Sequence, residues 1–427
     1  MAKNHIEIES LDINNNKIFY KIHLPRGIKK FAESDIAFIE YDENISGVEK
    51  SILTVPIVSS LIPVAWAFGV DLILREIDAT YLHSLEAVKA VFQRWYPQFS
   101  FSTRIKTQKI SSNKFNGKKI GLLFSGGVDS LTSFIRLREK NPTLFTIFGA
   151  DISLEKENLE YFVRSTISSF AKKNKVKVHF IRSNIPRLFN EVKLSKKFRL
   201  NSWWGSVSHG LILLSLVAPL THKGIGKIFI ASTHTKDFTY PWGSDPVIDN
   251  KIGWADVKVI HDAYEMSRIE KIKYLKKYPE YLKFLRVCYS SYSNYNCGRC
   301  EKCSHLLVSL LLENIPPDLC GFKIDKSTLA YIRNCLEKKQ FILSESEKFL
   351  WKDIQRHIPE KISNELVPES KEFFEWLKHF NFDKYKVNKF QNFLFTVFHY
   401  FREYGIIKSI KKFIKKKLKI FLSHKNS

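Results

Sequence analysis

Apolar and polar positions recur along this chain with two periods, and the switches between them mark its elements. HIEIESLDI from His5 and KIFYKIHL from Lys17 alternate with period two. They read as half-buried strands joined at the turn Asn14-Asn15-Asn16. Residues 52–74 are almost continuously apolar and long enough to span a bilayer. Pro56 and Pro63 would each cost a helix roughly 3 kcal/mol. Asp71 would cost about 2.5–3.5 kcal/mol at a membrane centre. A buried strand–turn–helix is therefore expected there. Residues 81–95 have helical periodicity, and SSNKFNGKK from Ser111 reads as a linker.

Beyond the linker, short apolar runs alternate with helical repeats. Strands are expected at 120–124, 144–148, 176–181, 228–231 and 257–260. Helices are expected after Asp129 and at 159–171 and 203–217. This order predicts an α/β fold, a parallel sheet with helices on both faces. Residues 1–115 read as an accessory α+β domain and 116–318 as the α/β domain. Residues 319–405 read as a helical region, broken at Pro359 and Pro368, with an aromatic run at 390–401. In residues 406–427, Ile410, Ile414, Leu418 and Phe421 share one helical face. Lys408, Lys411, Lys412, Lys415, Lys416 and Lys419 cover most of the rest. A basic amphipathic tail of this type lies on an anionic membrane surface or packs on its own domain. Nucleic acid fits it less well, because the lysines lack interleaved aromatics.

Composition narrows the partners. The chain has 427 residues and a formal net charge of +25. That favours anionic partners such as nucleotides, nucleic acid or an acidic membrane, although lysine-rich composition alone decides little. The first residues carry no apolar signal-peptide core, and the six cysteines are clustered rather than spread. A secretory leader and a disulfide framework are not expected, and the protein reads as cytoplasmic.

Two stretches carry chemistry. In KKIGLLFSGGVDSLTSFIR, from Lys118, an apolar strand runs into Ser125-Gly126-Gly127. Asp129 and Ser130 then open a helix. Strand, glycine turn and helix N-terminus together form an anion-binding geometry. Asp129 would cap the helix or hold Mg²⁺ beside a polyphosphate. Neither a Walker A loop nor a dinucleotide fingerprint is present. In CYSSYSNYNCGRCEKC, residues Cys288, Cys297, Cys300 and Cys303 have the spacing C-x8-C-x2-C-x2-C. Four thiolates so spaced close a tetrahedron around Zn²⁺. An iron–sulfur cluster is the rival reading.

SGGVDS resembles the SGGxDS loop of the PP-loop ATP pyrophosphatase superfamily, whose members cleave ATP between the α and β phosphates. With the cysteine motif about 160 residues later, residues 118–315 resemble the 7-cyano-7-deazaguanine synthases. The resemblance implies a PP-loop, adenine nucleotide alpha hydrolase-like fold and an ATP and Mg²⁺ site at Ser125, Gly126, Gly127, Asp129 and Ser130. It implies adenine near Phe148 and Gly149, Lys271 and Arg268 facing the triphosphate, and Zn²⁺ on the four cysteines. Tyr240-Pro241 matches a family turn, but Trp242-Gly243-Ser244 replaces the acidic and cysteine residues that follow it there. The family also lacks the N-terminal and C-terminal extensions. The ATP chemistry is therefore expected here, and the deazaguanine substrate is not carried over.

The expected activity is adenylation of a small-molecule carboxylate, followed by attack of ammonia or an amine. His209 and His234 are candidate bases. Rival readings are an adenylation-dependent epimerase of a UDP-muramoyl dipeptide type, a tRNA-modifying enzyme and a non-catalytic nucleotide-binding protein.

Overall fold

The computed structural model describes residues 4–288, 296–325, 327–361, 367 and 369–386. The aromatic run at 390–401, the tail at 406–427 and Pro368 lie outside them.

Among the described residues, eleven strands form one sheet. In chain order they are β1 (His5–Asn14), β2 (Lys17–His23), β3 (Ile36–Tyr41), β4 (Asp71–Asp78), β5 (Ile105–Ser111) and β6 (Lys119–Leu123). They continue with β7 (Thr143–Phe148), β8 (Val178–Ser183), β9 (Ile225–Ala231), β10 (Gly253–Trp254) and β11 (Val257–Asp262). Across the sheet the order is β10-β11-β9-β6-β7-β8-β3-β2-β1-β4-β5. From β11 to β8 every pairing is parallel. From β8 through β3 and β2 to β1 the pairings are antiparallel, and β1-β4-β5 is parallel again.

The burial pattern follows this topology. In β6 everything after Lys119 is buried, as a strand covered on both faces requires. In β2 only alternate residues are buried; Ile18, Tyr20 and Ile22 point to the core while Phe19 is 41% exposed. The N-terminal strands thus form the half-buried part of a mixed sheet.

Two expectations need correction. Residues 1–115 do not form a separate compact unit. β3 pairs with β8 through Ile39–Ser183, Glu40–Arg182 and Tyr41–Ile181, which continues the sheet across the expected boundary. One apolar core contains Ile6, Leu61 and Leu85 together with Leu214 and Ile228. The reason is an edge. Without β3, β8 would expose a row of unpaired backbone groups. The stretch 52–74 also runs in the opposite order, helix first and strand second. Helix Val55–Phe68 is followed by Gly69 and then β4. Pro56 lies in the helix's first turn, where its missing N–H has no intrahelical partner to lose. Pro63 lies inside the helix, whose residues Val55 through Ala67 are all buried. The helix packs on helix His209–Leu216, with Ser59 Oγ 2.7 Å from Ser215 Oγ.

The chain divides into two compact units. The first is Met1–Ile324 with Asp353–Glu360; the second is Asp325–Lys352 with Lys361–Ser427. The second unit is helical where described, through Ser327–Glu337 and Ser370–His379. In its core Trp351 stacks on Phe382 and the Tyr385 hydroxyl donates to Phe341 O at 2.8 Å. Among the described residues one helical stretch, Trp204–Lys223, is long and apolar enough to cross a membrane, and 78% of its apolar window is buried inside the fold.

Candidate functional site

The chain runs from β6 outward to β7 and β8, then returns to place β9 on the other side of β6. This reversal makes the gap between β6 and β9 a topological switch point, where ligands of open α/β sheets bind beyond the strand carboxyl ends. The two loops that leave the gap are Ser125-Gly126-Gly127 and Ser232-Thr233-His234.

Gly126 has φ +76°, a backbone that glycine adopts without strain. Gly127 is the extended N-cap of helix Val128–Leu137. The Ser130 hydroxyl lies 3.3 Å from Ser125 N, Ser125 Oγ and Gly127 O, so it ties the turn to the helix's first turn. The Arg286 N–H donates to Gly126 O at 2.8 Å, which holds the turn from the other side.

Asp129 is the centre of the polar constellation. Arg268 Nη2 lies 2.8 Å from its Oδ2 and Lys271 Nζ 3.3 Å from its Oδ1. Thr233 Oγ1 donates to Oδ2 at 3.5 Å, and Lys271 Nζ also donates to Ser232 O at 2.5 Å. Burial raises the Asp129 pKa, but Arg268 and then Lys271 outweigh it and the net direction is down. The Lys271 side chain is fully buried, and burial is the first cause of its lowered pKa. Two cations thus converge on one carboxylate beside a glycine turn.

Both cations come from one helix, Arg268–Leu275. Ser267 caps it and Glu270 completes a capping box. The carboxylate of Asp353 accepts the Ile269 N–H at 3.0 Å in the same turn. Sequence reasoning missed Asp353. It lies 84 residues from Ile269, and no local pattern marks it.

His234 follows β9 and is buried, 5% exposed. Burial first and Arg268 second depress its pKa to about 3. Its ring stacks on Phe238 and meets Trp242 edge-on. His209 contacts Trp204 and Trp242, and burial is likewise the first cause of its lowered pKa. Both histidines are neutral imidazoles near neutral pH. The Trp242-Gly243 turn is held by backbone hydrogen bonds from Gly243 N to Gly205 O and from Gly210 N to Gly243 O, each 2.7 Å. Gly205 lies in the π-helical turn Trp204–Ser208, where the apolar helix expected at 203–217 is wound differently. Below it, Asp249 accepts from Ser244 Oγ at 2.7 Å and pairs with His261 Nδ1 at 2.8 Å. Sequence reasoning missed this buried pair as well.

Phe148 ends β7 and Gly149 follows it. Phe148 is fully buried, stacked on Phe180 and covered by the Arg164 guanidinium. Its side chain offers no surface to a ligand; it is a wall of the core. Gly149 has φ +101°, and a Cβ there would lie 1.8 Å from Ser183 O. Close approach of β8 requires a glycine at that position.

The four clustered cysteines come together. The Sγ atoms of Cys288, Cys297, Cys300 and Cys303 all lie within 4.8 Å of one another. Cys297–Cys303 and Cys288–Cys300 are 3.8 and 3.9 Å apart. Metal–sulfur bonds of about 2.3 Å in a tetrahedron put sulfurs about 3.8 Å apart. The donor set therefore fits a metal ion such as zinc. The N–H of Cys300 donates to Cys297 Sγ at 3.2 Å, and that of Arg299 at 3.5 Å, the donors a thiolate needs. Asn296 braces the quartet. Its side chain accepts from Val287 N at 3.1 Å and donates to Leu285 O and Cys320 O at 2.9 and 3.0 Å. Cys320 and Cys335 are buried thiols outside the quartet.

No family model matches the chain, and neither the curated proteins nor the solved structures include a match.

Proposed function

We propose that this protein is an ATP-dependent adenylating enzyme of the PP-loop type, activating a small-molecule carboxylate for attack by ammonia or an amine. The observation that carries this reading is the convergence of Arg268 and Lys271 on Asp129 beside the Ser125-Gly126-Gly127 turn, at the switch point between β6 and β9. Two cations against one carboxylate leave positive charge for a polyphosphate, and the turn and helix N-terminus add partial positive charge.

In this reading a carboxylate oxygen of the acid attacks the α-phosphorus of ATP. The bond from that phosphorus to the α–β bridging oxygen breaks, and pyrophosphate leaves. Arg268 and Lys271 stabilise the charge that develops on the leaving oxygens. Asp129 and the serine hydroxyls would hold Mg²⁺, which would supply further charge neutralisation. The nucleophile's nitrogen then attacks the acyl carbonyl, and AMP departs. His209 is the candidate to accept the proton that the nitrogen loses; His234, with its pKa depressed to about 3 by burial and then by Arg268, is too weak a base for that step. The cysteine quartet would hold zinc in a structural role, because four sulfur ligands leave no open position.

The test is ATP–pyrophosphate exchange, screened across carboxylates including carboxydeazaguanine, nucleotide-linked sugar acids and muramoyl peptides. Wild type should exchange with at least one acid, and Asp129→Ala should lower exchange by at least about a hundredfold, the scale of one electrostatic catalytic group. Products of ADP and phosphate would overturn the reading. The epimerase reading predicts exchange with a muramoyl peptide and inversion without a nitrogen nucleophile. A tRNA thiolation reading needs a reactive thiol or an iron–sulfur cluster; visible absorbance in the purified protein would favour it.

A further inference from the structure

The helix that supplies both cations is electrostatically unfavourable as it stands. It has eight residues, with Arg268 and Lys271 in its first turn, where the helix dipole already presents positive charge. Three carboxylates offset this. Asp129 belongs to the site, and Glu270 is exposed in the capping box. Asp353 is the buried one, 1% exposed, and accepts the Ile269 N–H at 3.0 Å. His357 Nδ1 lies 3.3 Å from its other oxygen, and Arg356 Nη2 lies 3.5 Å from that oxygen. Neither oxygen of Asp353 belongs to the anion site, yet the carboxylate is fixed to Ile269, the residue that follows Arg268.

We propose that Asp353 is a positioning residue for the anion site: it pins the first turn of helix Arg268–Leu275 so that Arg268 and Lys271 reach Asp129 together. The chain thus supplies a buried anion from far downstream to hold a doubly cationic helix start in place. The inference rests on the reading of Arg268 and Lys271 as ATP-binding cations, and its test has a readout independent of that reading. Burial acts to raise the Asp353 pKa, but His357 and then the single hydrogen bond from the Ile269 N–H outweigh it, lower the pKa to about 2 and hold the group as a carboxylate.

The experiment compares wild type with Asp353→Ala, Asp353→Asn and, as a core-truncation control in the second unit, Ile332→Val. Two quantities are read in the full chain: labelling of Lys271 by an amine-reactive reagent without ligand, and KM and kcat for ATP in pyrophosphate exchange. Lys271 is fully buried in the wild type and should label slowly. Asp353→Ala should speed that labelling and raise KM for ATP about tenfold, the scale of one lost cap. Asp353→Asn keeps an acceptor for Ile269 N–H but loses the charge, and should change both about threefold. Ile332→Val should change neither. Wild-type labelling and KM in Asp353→Ala would overturn the proposal, as would equal shifts in Ile332→Val. If Asp353→Ala does not fold, Asp353→Asn decides alone, and wild-type values there overturn it. If wild type exchanges with no acid, the adenylation reading fails while the labelling still decides the role of Asp353.

Discussion

At the scale of the residue, the site depends on charges held out of water. Asp129 pairs with a fully buried lysine, and such a carboxylate is costly to remove because it leaves uncompensated cations. Asp129→Asn should therefore destabilise the ligand-free protein by about 3 kcal/mol, and saturating pyrophosphate should restore part of that loss; urea denaturation with and without pyrophosphate measures both. His234 gives a pH dependence with a definite sign. Its folded pKa of about 3 lies below the unfolded value near 6.5. The unfolded chain therefore binds a proton that the folded chain refuses, and stability falls as pH drops from about 6.5 toward 3. The slope from one such group is at most about 1.4 kcal/mol per pH unit. His234→Asn should flatten urea-denaturation stability between pH 6.5 and 5 by up to that amount. An unchanged slope would mean that the imidazole is not buried as described. His357 does not confuse this window. Its pKa is raised by Asp353, so its contribution is complete below about 6.5 and is lost only at higher pH.

At the scale of the element, the segment that opens the cysteine quartet also touches the glycine turn. Cys288 is two residues beyond Arg286, whose N–H holds Gly126 O, and Asn296 fastens the intervening backbone beside Cys297. Metal loss should therefore loosen the turn as well as the quartet. Purified protein should contain close to one zinc per chain by atomic spectroscopy, and Cys300→Ser should lose most of it. Chelation should raise KM for ATP several-fold, and added zinc should reverse the change. A fully active, metal-free chain would separate the two elements. The quartet was legible from spacing alone, because four cysteines within sixteen residues admit few other geometries. The braces around it were not. An asparagine that satisfies three backbone groups looks, in sequence, like any loop asparagine.

At the scale of the whole molecule, the N-terminal strands and the parallel strands share one sheet and one core within the first compact unit. Tyr41 on β3 illustrates the seam: its buried hydroxyl donates to Leu216 O at 3.0 Å, across 175 residues. Tyr41→Phe should cost about 1 kcal/mol and leave the first unit melting in a single calorimetric transition. An earlier, separate transition assigned to residues 1–115 would contradict the shared core. Residues 1–115 alone should fail to fold cooperatively, because β3 would lose β8 and the helix Val55–Phe68 would lose its partner helix.

By itself the sequence determined the local pieces. The period-two runs became β1 and β2, the buried apolar runs became β6, β7 and β9, and SGGVDS took its place as strand, turn and helix. These outcomes rest on propensities and burial patterns within a few residues. Tertiary structure decided the rest. It set the order of the helix and strand in 52–74, the joining of two expected domains through β3 and β8, and the burial of Phe148. It also decided which distant groups meet Asp129 and Ile269. The physical reason is range. Backbone pairing at a sheet edge and neutralisation of a buried charge are satisfied by whatever partner the folded chain brings near, and sequence separation does not encode that partner.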